Sequence, residues 1–154
     1  AALNYFLLQI SPSKDMIFDP AESISFSGNT GPYLQYMGAR ISSMLRKYEE
    51  RKDDFKGGEF NPGLLELEQE REIIKLLSAF PEIVADAGKN MNPSVITGYL
   101  YDLSKIFSRY YHDTPILQDP DKDVVVSRIT LVRAVLQVLK NAFYLVGIPF
   151  LERM

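Results

Sequence analysis

Apolar residues recur every three or four positions along most of this chain, a spacing that predicts helices. The first ten residues are strongly apolar (Leu3, Tyr5, Phe6, Leu7, Leu8, Ile10) and read as the end of a buried helix or strand, broken by Ser11-Pro12-Ser13. Asp19-Pro20-Ala21-Glu22 carries a cap, a proline at the first position and an acid at the third, so a short helix starts there. Gly31-Pro32 opens a second helix over residues 32–51, on which Tyr33, Met37, Ile41, Met44 and Tyr48 make one apolar stripe. Arg46, Lys47, Arg51 and Lys52 load its end, where cations suit the helix dipole. A third helix is expected over 64–79, with Glu66, Glu68, Glu70 and Glu72 as a wet face. Phe80-Pro81-Glu82 then restarts a fourth to about residue 90, and Asn92-Pro93-Ser94 restarts a fifth over 93–112. Val95, Tyr99, Leu103, Phe107 and Tyr110 form the core stripe of that fifth helix. The last long helix spans 124–146, with Gly147 as its stop and an apolar tail beyond. Strand signals are almost absent. The predicted fold class is all-α, a helical bundle of about five principal helices.

Composition narrows what such a bundle can do. The 154 residues, 46% of them hydrophobic, suffice for one domain with a real core. A net charge of -3 excludes a globally basic nucleic-acid binder, so any RNA contact rests on a local patch. No cysteine is present, which removes disulfides, zinc–thiolate sites and cysteine nucleophiles and fits a cytoplasmic protein. No apolar run approaches the ~18 residues of a membrane span. The chain starts Ala1-Ala2-Leu3 without an initiator methionine or a signal peptide, and is expected to be a fragment of a longer protein.

Catalytic chemistry finds little support. His112 is the single histidine, too few for a triad or a histidine-rich metal site. Asp119, Asp121 and Asp123 alternate in a loop but lack the central glycine and distal glutamate of a calcium loop, so they read as a solvated turn. No catalytic residue and no metal site are expected. The informative stretch is Asn29-Thr30-Gly31-Pro32-Tyr33-Leu34-Gln35-Tyr36, continuing to Arg40. Two phenols, an amide and a guanidinium within two helical turns can stack on unpaired bases and bond their edges.

This block, taken with three later segments, closely resembles the DALR anticodon-binding domain of arginyl-tRNA synthetases. The others are Glu72 to Leu77 with Phe80-Pro81-Glu82, then Tyr99-Leu100-Tyr101-Asp102-Leu103 through Pro115-Ile116-Leu117, and Leu131-Val132-Arg133-Ala134 through the terminal Glu152-Arg153-Met154. The resemblance implies that residues 1–28 are the tail of a preceding class I catalytic domain and that 29–154 are the anticodon-binding domain. It implies a partner, the anticodon loop of tRNA(Arg), and a catalytic core of the same polypeptide. That core would use ATP and Mg, with no cofactor in this segment. The fragment alone would be inactive and monomeric. Tyr33, Gln35, Tyr36, Arg40, Tyr99 and Met154 become the candidate RNA-binding residues, Met154 because the family's terminus folds back beside the anticodon. Tyr33 and Tyr99 also lie on core stripes. The family often has Ala-His where this chain has Met37-Gly38, and Gly38 leaves room for RNA or another helix to approach closely. Two rivals remain: the anticodon domain of a cysteinyl or methionyl synthetase, and a helical protein-interaction module.

Overall fold

The computed structural model describes residues 1–154, which fold as an all-α bundle. Two short helices, α1 (Ala2–Leu8) and α2 (Pro20–Ser23), precede four long ones: α3 (Gly31–Glu50), α4 (Glu68–Lys89), α5 (Ser94–Asp113) and α6 (Lys122–Leu145). Asp19 caps α2 by accepting from the backbone of Ala21 and Glu22. Thr30 caps α3 by accepting from Tyr33 N at 3.2 Å. Leu34, Met37 and Ile41 of α3 meet Leu100, Leu103 and Phe107 of α5 and Val132, Val135 and Leu139 of α6 in one core, all fully buried. Tyr5 of α1 joins that core, where its hydroxyl donates to Asn29 Oδ1 and to Thr97 O. Gly31 admits α1 at close range: a Cβ there would lie 2.9 Å from the Ala1 carbonyl oxygen. No helix is long and apolar enough to cross a membrane.

Two expectations require correction. Pro81 does not divide two helices: it sits inside a continuous α4 of 22 residues. Proline denies Leu77 a backbone donor, but α4 is held on both sides of it by tertiary packing. Ile73, Leu76, Leu77, Phe80, Ile83 and Ala87 all reach the core, and their burial outweighs the local proline cost of ~3 kcal/mol.

The second correction concerns the glutamate run. Glu70 is fully buried rather than wet. One of its oxygens accepts from Tyr110 Oη and Arg128 Nε, each at 2.9 Å, and the other accepts from Leu67 N at 3.0 Å, half of a capping box for α4. Arg128 also reaches Asp119 at 3.0 Å. The aspartates are therefore more than a solvated turn: Asp119 completes this ion cluster, Asp121 caps α6, and Asp123 accepts from Glu59 N at 2.8 Å. Burial and the Glu70 carboxylate together push the Tyr110 phenol pKa far up.

Candidate nucleic-acid interface

Helix α3 presents three different faces, each with its own partner. Leu34, Met37 and Ile41 point into the core. Gln35, Gly38 and Arg46 meet the chain after α6. Tyr36, Arg40 and Ser43 point outward, successive turns of one stripe.

The second face fastens the C-terminal tail. Gly147, at φ +64°, ends α6 in the left-handed conformation that glycine favours. Ile148 N then donates to Phe143 O at 3.0 Å, closing the turn, and the Ile148 side chain is buried. Gln35 Nε2 donates to Pro149 O at 2.8 Å. The Phe150 ring lies directly against Gly38, flanked by the Phe143 ring at 5.8 Å and by Lys140 Nζ at 4.9 Å. Arg46 donates to the Glu152 carbonyl at 3.1 Å, and Lys140 pairs with the Glu152 carboxylate at 3.1 Å.

So fastened, the tail carries Arg153 and Met154 to the outward stripe. Tyr36, Ala39, Arg40, Ser43, Arg46, Arg153 and Met154 line one cleft of about 430 Å³. Tyr36 is 43% and Met154 58% exposed, large apolar surfaces left open beside three guanidinium groups. The Arg40 guanidinium lies 4.1 Å above the centroid of the Tyr111 ring. This cation–π contact holds the guanidinium over the ring, and Arg40 enters no ion pair. Its donors therefore stay free to fork onto a base edge or a phosphate. Beyond Tyr111, Lys47, Glu50 and Arg51 line a second cleft with Thr114, Pro115 and Ile116. The patch is locally cationic although the chain is acidic overall.

Of the six residues singled out by sequence, the fold brings Tyr36, Arg40 and Met154 together. Tyr33 lies one turn before them but is half-buried, its ring 6.3 Å from that of Tyr101 on α5. Burial raises its pKa, and a hydrogen bond with Ser108 opposes the shift. Gln35 and Tyr99 are corrections. Gln35 is buried and spends its amide on Pro149, so it holds the tail. Tyr99 is 5% exposed, stacks near Phe80 at 5.3 Å and donates to Leu76 O at 2.9 Å, fastening α5 to α4. Burial pushes its pKa up to about 12. Tyr111, Arg46 and Arg153 are the residues that sequence reasoning missed. Tyr111 follows the core residue Tyr110, and only the pairing of α3 with α5 reveals what lies above it.

Comparison with known proteins bears on the chain as a whole. The DALR anticodon binding domain family matches residues 34–154. The arginine–tRNA ligase of Treponema pallidum is 58% identical over 100% of this chain, which corresponds to 26% of that relative. Those of Treponema denticola and Borrelia hermsii are 57% and 46% identical over 99% of the chain, again 26% of each relative. The chain thus spans about a quarter of the length of the curated relatives it matches. Among solved structures, Thermus thermophilus arginyl-tRNA synthetase superposes with a TM-score of 0.85 at 31% identity, covering 99% of this chain and 26% of that one. The Plasmodium falciparum enzyme gives 0.81 at 26% identity, with the same shares covered.

Proposed function

The chain belongs to the DALR anticodon-binding domain family of arginine–tRNA ligases, and from that premise we propose that it binds the anticodon loop of tRNA(Arg) in the cleft between α3 and the C-terminal tail. The observation that carries this reading is the convergence of Tyr36 and Arg40, one turn apart on α3, with Met154 from the far end of the chain around one open, cationic cleft. In the proposed mode an unpaired base enters between the Tyr36 ring and the Met154 thioether, which supply its stacking surface. Arg40, held over Tyr111, donates to the base edge or to its phosphate. Arg46 and Arg153 supply the local positive charge that an acidic chain needs to hold RNA.

The rest of the proposal concerns the longer protein. Residues 1–28 would be the trailing segment of a class I catalytic domain and 29–154 the anticodon domain. Leu3, Leu7, Ile17, Phe18, Ile24 and Phe26, exposed apolar residues within 1–28, offer the surface against which that domain would pack. ATP-dependent arginylation, with its Mg, is assigned to that domain, and this chain supplies the grip on the tRNA. In this reading the chain would act in the cytoplasm, where its tRNA is, and as a monomer.

The test is a binding titration of the purified chain with tRNA(Arg) and with the same tRNA carrying a foreign anticodon. The expected result is a preference for the arginine anticodon and a log–log salt slope of roughly −2, the value for about three phosphates on a single strand. Equal affinity for both RNAs refutes the reading. The chain alone should transfer no arginine to tRNA.

A further inference from the structure

We propose that Gly38 and Phe150 form a positioning pair that sets the location of Met154 and so tunes the grip on the anticodon, a role that rests on the RNA-binding reading above. A Cβ added at Gly38 would sit 2.6 Å from Phe150 Cε2 and 3.1 Å from Cζ, closer than side chains pack. The ring thus occupies space that only glycine leaves on α3. Phe143 and Lys140 flank the ring, so a methyl at Gly38 would push it toward them. The tail itself is fixed on each side of Phe150, by Gln35 on the Pro149 carbonyl and by Arg46 on the Glu152 carbonyl. A displaced ring strains the Pro149 and Glu152 contacts on either side of it and through them shifts the chain that ends in Arg153 and Met154. Neither Gly38 nor Phe150 lines the cleft, so the pair acts on RNA only through the tail. Glycine in mid-helix lowers helix propensity by ~1 kcal/mol relative to alanine, a local loss that the seat for Phe150 accounts for.

Three variants of the purified chain test the pair: Gly38→Ala, Phe150→Ala, and Gly38→Ala combined with Phe150→Leu. Affinity for tRNA(Arg) is read by titration, melting temperature checks the fold, and proton NMR follows the Gly38 α protons, which ring currents from Phe150 displace in the parent. Gly38→Ala is expected to weaken binding about tenfold, equivalent to ~1.4 kcal/mol. Phe150→Ala, which leaves α3 intact, should do the same, so the inference stays testable even if Gly38→Ala unfolds. The double variant, with its smaller side chain opposite the new methyl, should recover most of the affinity. A purely structural role would move melting temperature in step with affinity in all three variants, whereas positioning lowers affinity at little cost in melting temperature. Unchanged binding by both single variants, or no recovery in the double, overturns the proposal. Arg40→Ala separates the two levels. If it weakens binding while Gly38→Ala and Phe150→Ala do not, the positioning role alone falls. If Arg40→Ala also binds like the parent, the anticodon reading falls and this inference with it.

Discussion

Replacing Glu70 by glutamine measures how much of the bundle hangs on one buried carboxylate. The change keeps shape and volume and removes only charge and acceptor capacity. In the parent, the two oxygens together accept from Tyr110 Oη, Arg128 Nε and Leu67 N. Glutamine has one oxygen, and its NH2 cannot accept from any of these donors. If the oxygen stays toward Tyr110 and Arg128, the NH2 faces the Leu67 N–H and the α4 cap is lost, about 1 kcal/mol. The Tyr110 bond falls to neutral strength and the Arg128 bond, still assisted by the guanidinium charge, loses its anionic acceptor, about 1 kcal/mol each. Arg128 keeps Asp119, so the full 3–5 kcal/mol for stripping a buried ion of its partner does not apply. The expected total is about 3 kcal/mol, seen as a lower urea midpoint at unchanged slope and a melting temperature lower by roughly 6–12 °C. Arg109→Ala is the control, because its ion pair with Glu72 is solvent-exposed and should be worth under ~1 kcal/mol. A Glu70→Gln loss no larger than the Arg109→Ala loss would refute the idea that the cluster ties α4, α5 and α6 together.

Tyr36→Ala and Arg40→Ala should each weaken tRNA(Arg) binding by about 1–3 kcal/mol while leaving the melting temperature in place, since neither side chain is in the core; unchanged dissociation constants at fixed salt would count against both as contacts. Tyr99→Phe should do the reverse, costing about 1 kcal/mol of stability through the lost bond to Leu76 O with no effect on RNA. Alkaline titration followed by tyrosinate absorbance should show Tyr5, Tyr33, Tyr99 and Tyr110 lagging behind the other tyrosines, because burial raises their pKa values. A phenol pKa that is higher folded than unfolded contributes stability below pH ~10 that is lost as pH rises toward the folded value, so unfolding should set in between pH 10 and about 12; full stability at pH 12 would contradict it. Pro81→Ala should stabilise by about 1–2 kcal/mol, restoring a donor to the Leu77 carbonyl, and a loss would mean that the proline ring packs usefully against α6.

The long helices were legible because their signals are local. Gly31-Pro32, Asn92-Pro93-Ser94 and Gly147 mark ends within a few residues of those observed, and core stripes with helical spacing mark the buried faces. Pro81 misled for a corresponding reason. A local breaker outvotes its neighbours in sequence, but Phe80 and Ile83 on either side of it are anchored by α5 and α6. Glu70 could not have been placed by any local rule. Among Glu66, Glu68 and Glu72 it differs only in what it meets: Arg128 lies 58 positions and Tyr110 40 positions away.

The site divides along the same line. Gln35 and Tyr36 are adjacent in the sequence, yet each residue turns about 100° around the helix, enough to send one to the tail and the other to solvent. Reading the block as a single cluster merged two faces with different work. Gln35 and Gly38 acquire meaning only once the tail lies against them, and the tail lies there only because α6 returns antiparallel to α3 and Gly147 reverses the chain. Arg40 shows the converse. The sequence marks it as a candidate RNA contact, but the Tyr111 ring beneath it decides what it can do. A free arginine would swing and find a carboxylate, of which this acidic chain has many. Held 4.1 Å over that ring, it keeps a defined position and open donors instead. Selectivity for one anticodon is therefore expected to depend on Tyr111 as much as on Arg40. Tyr111→Leu should lower discrimination between anticodons more than it lowers total affinity, because the charge remains while its orientation is lost.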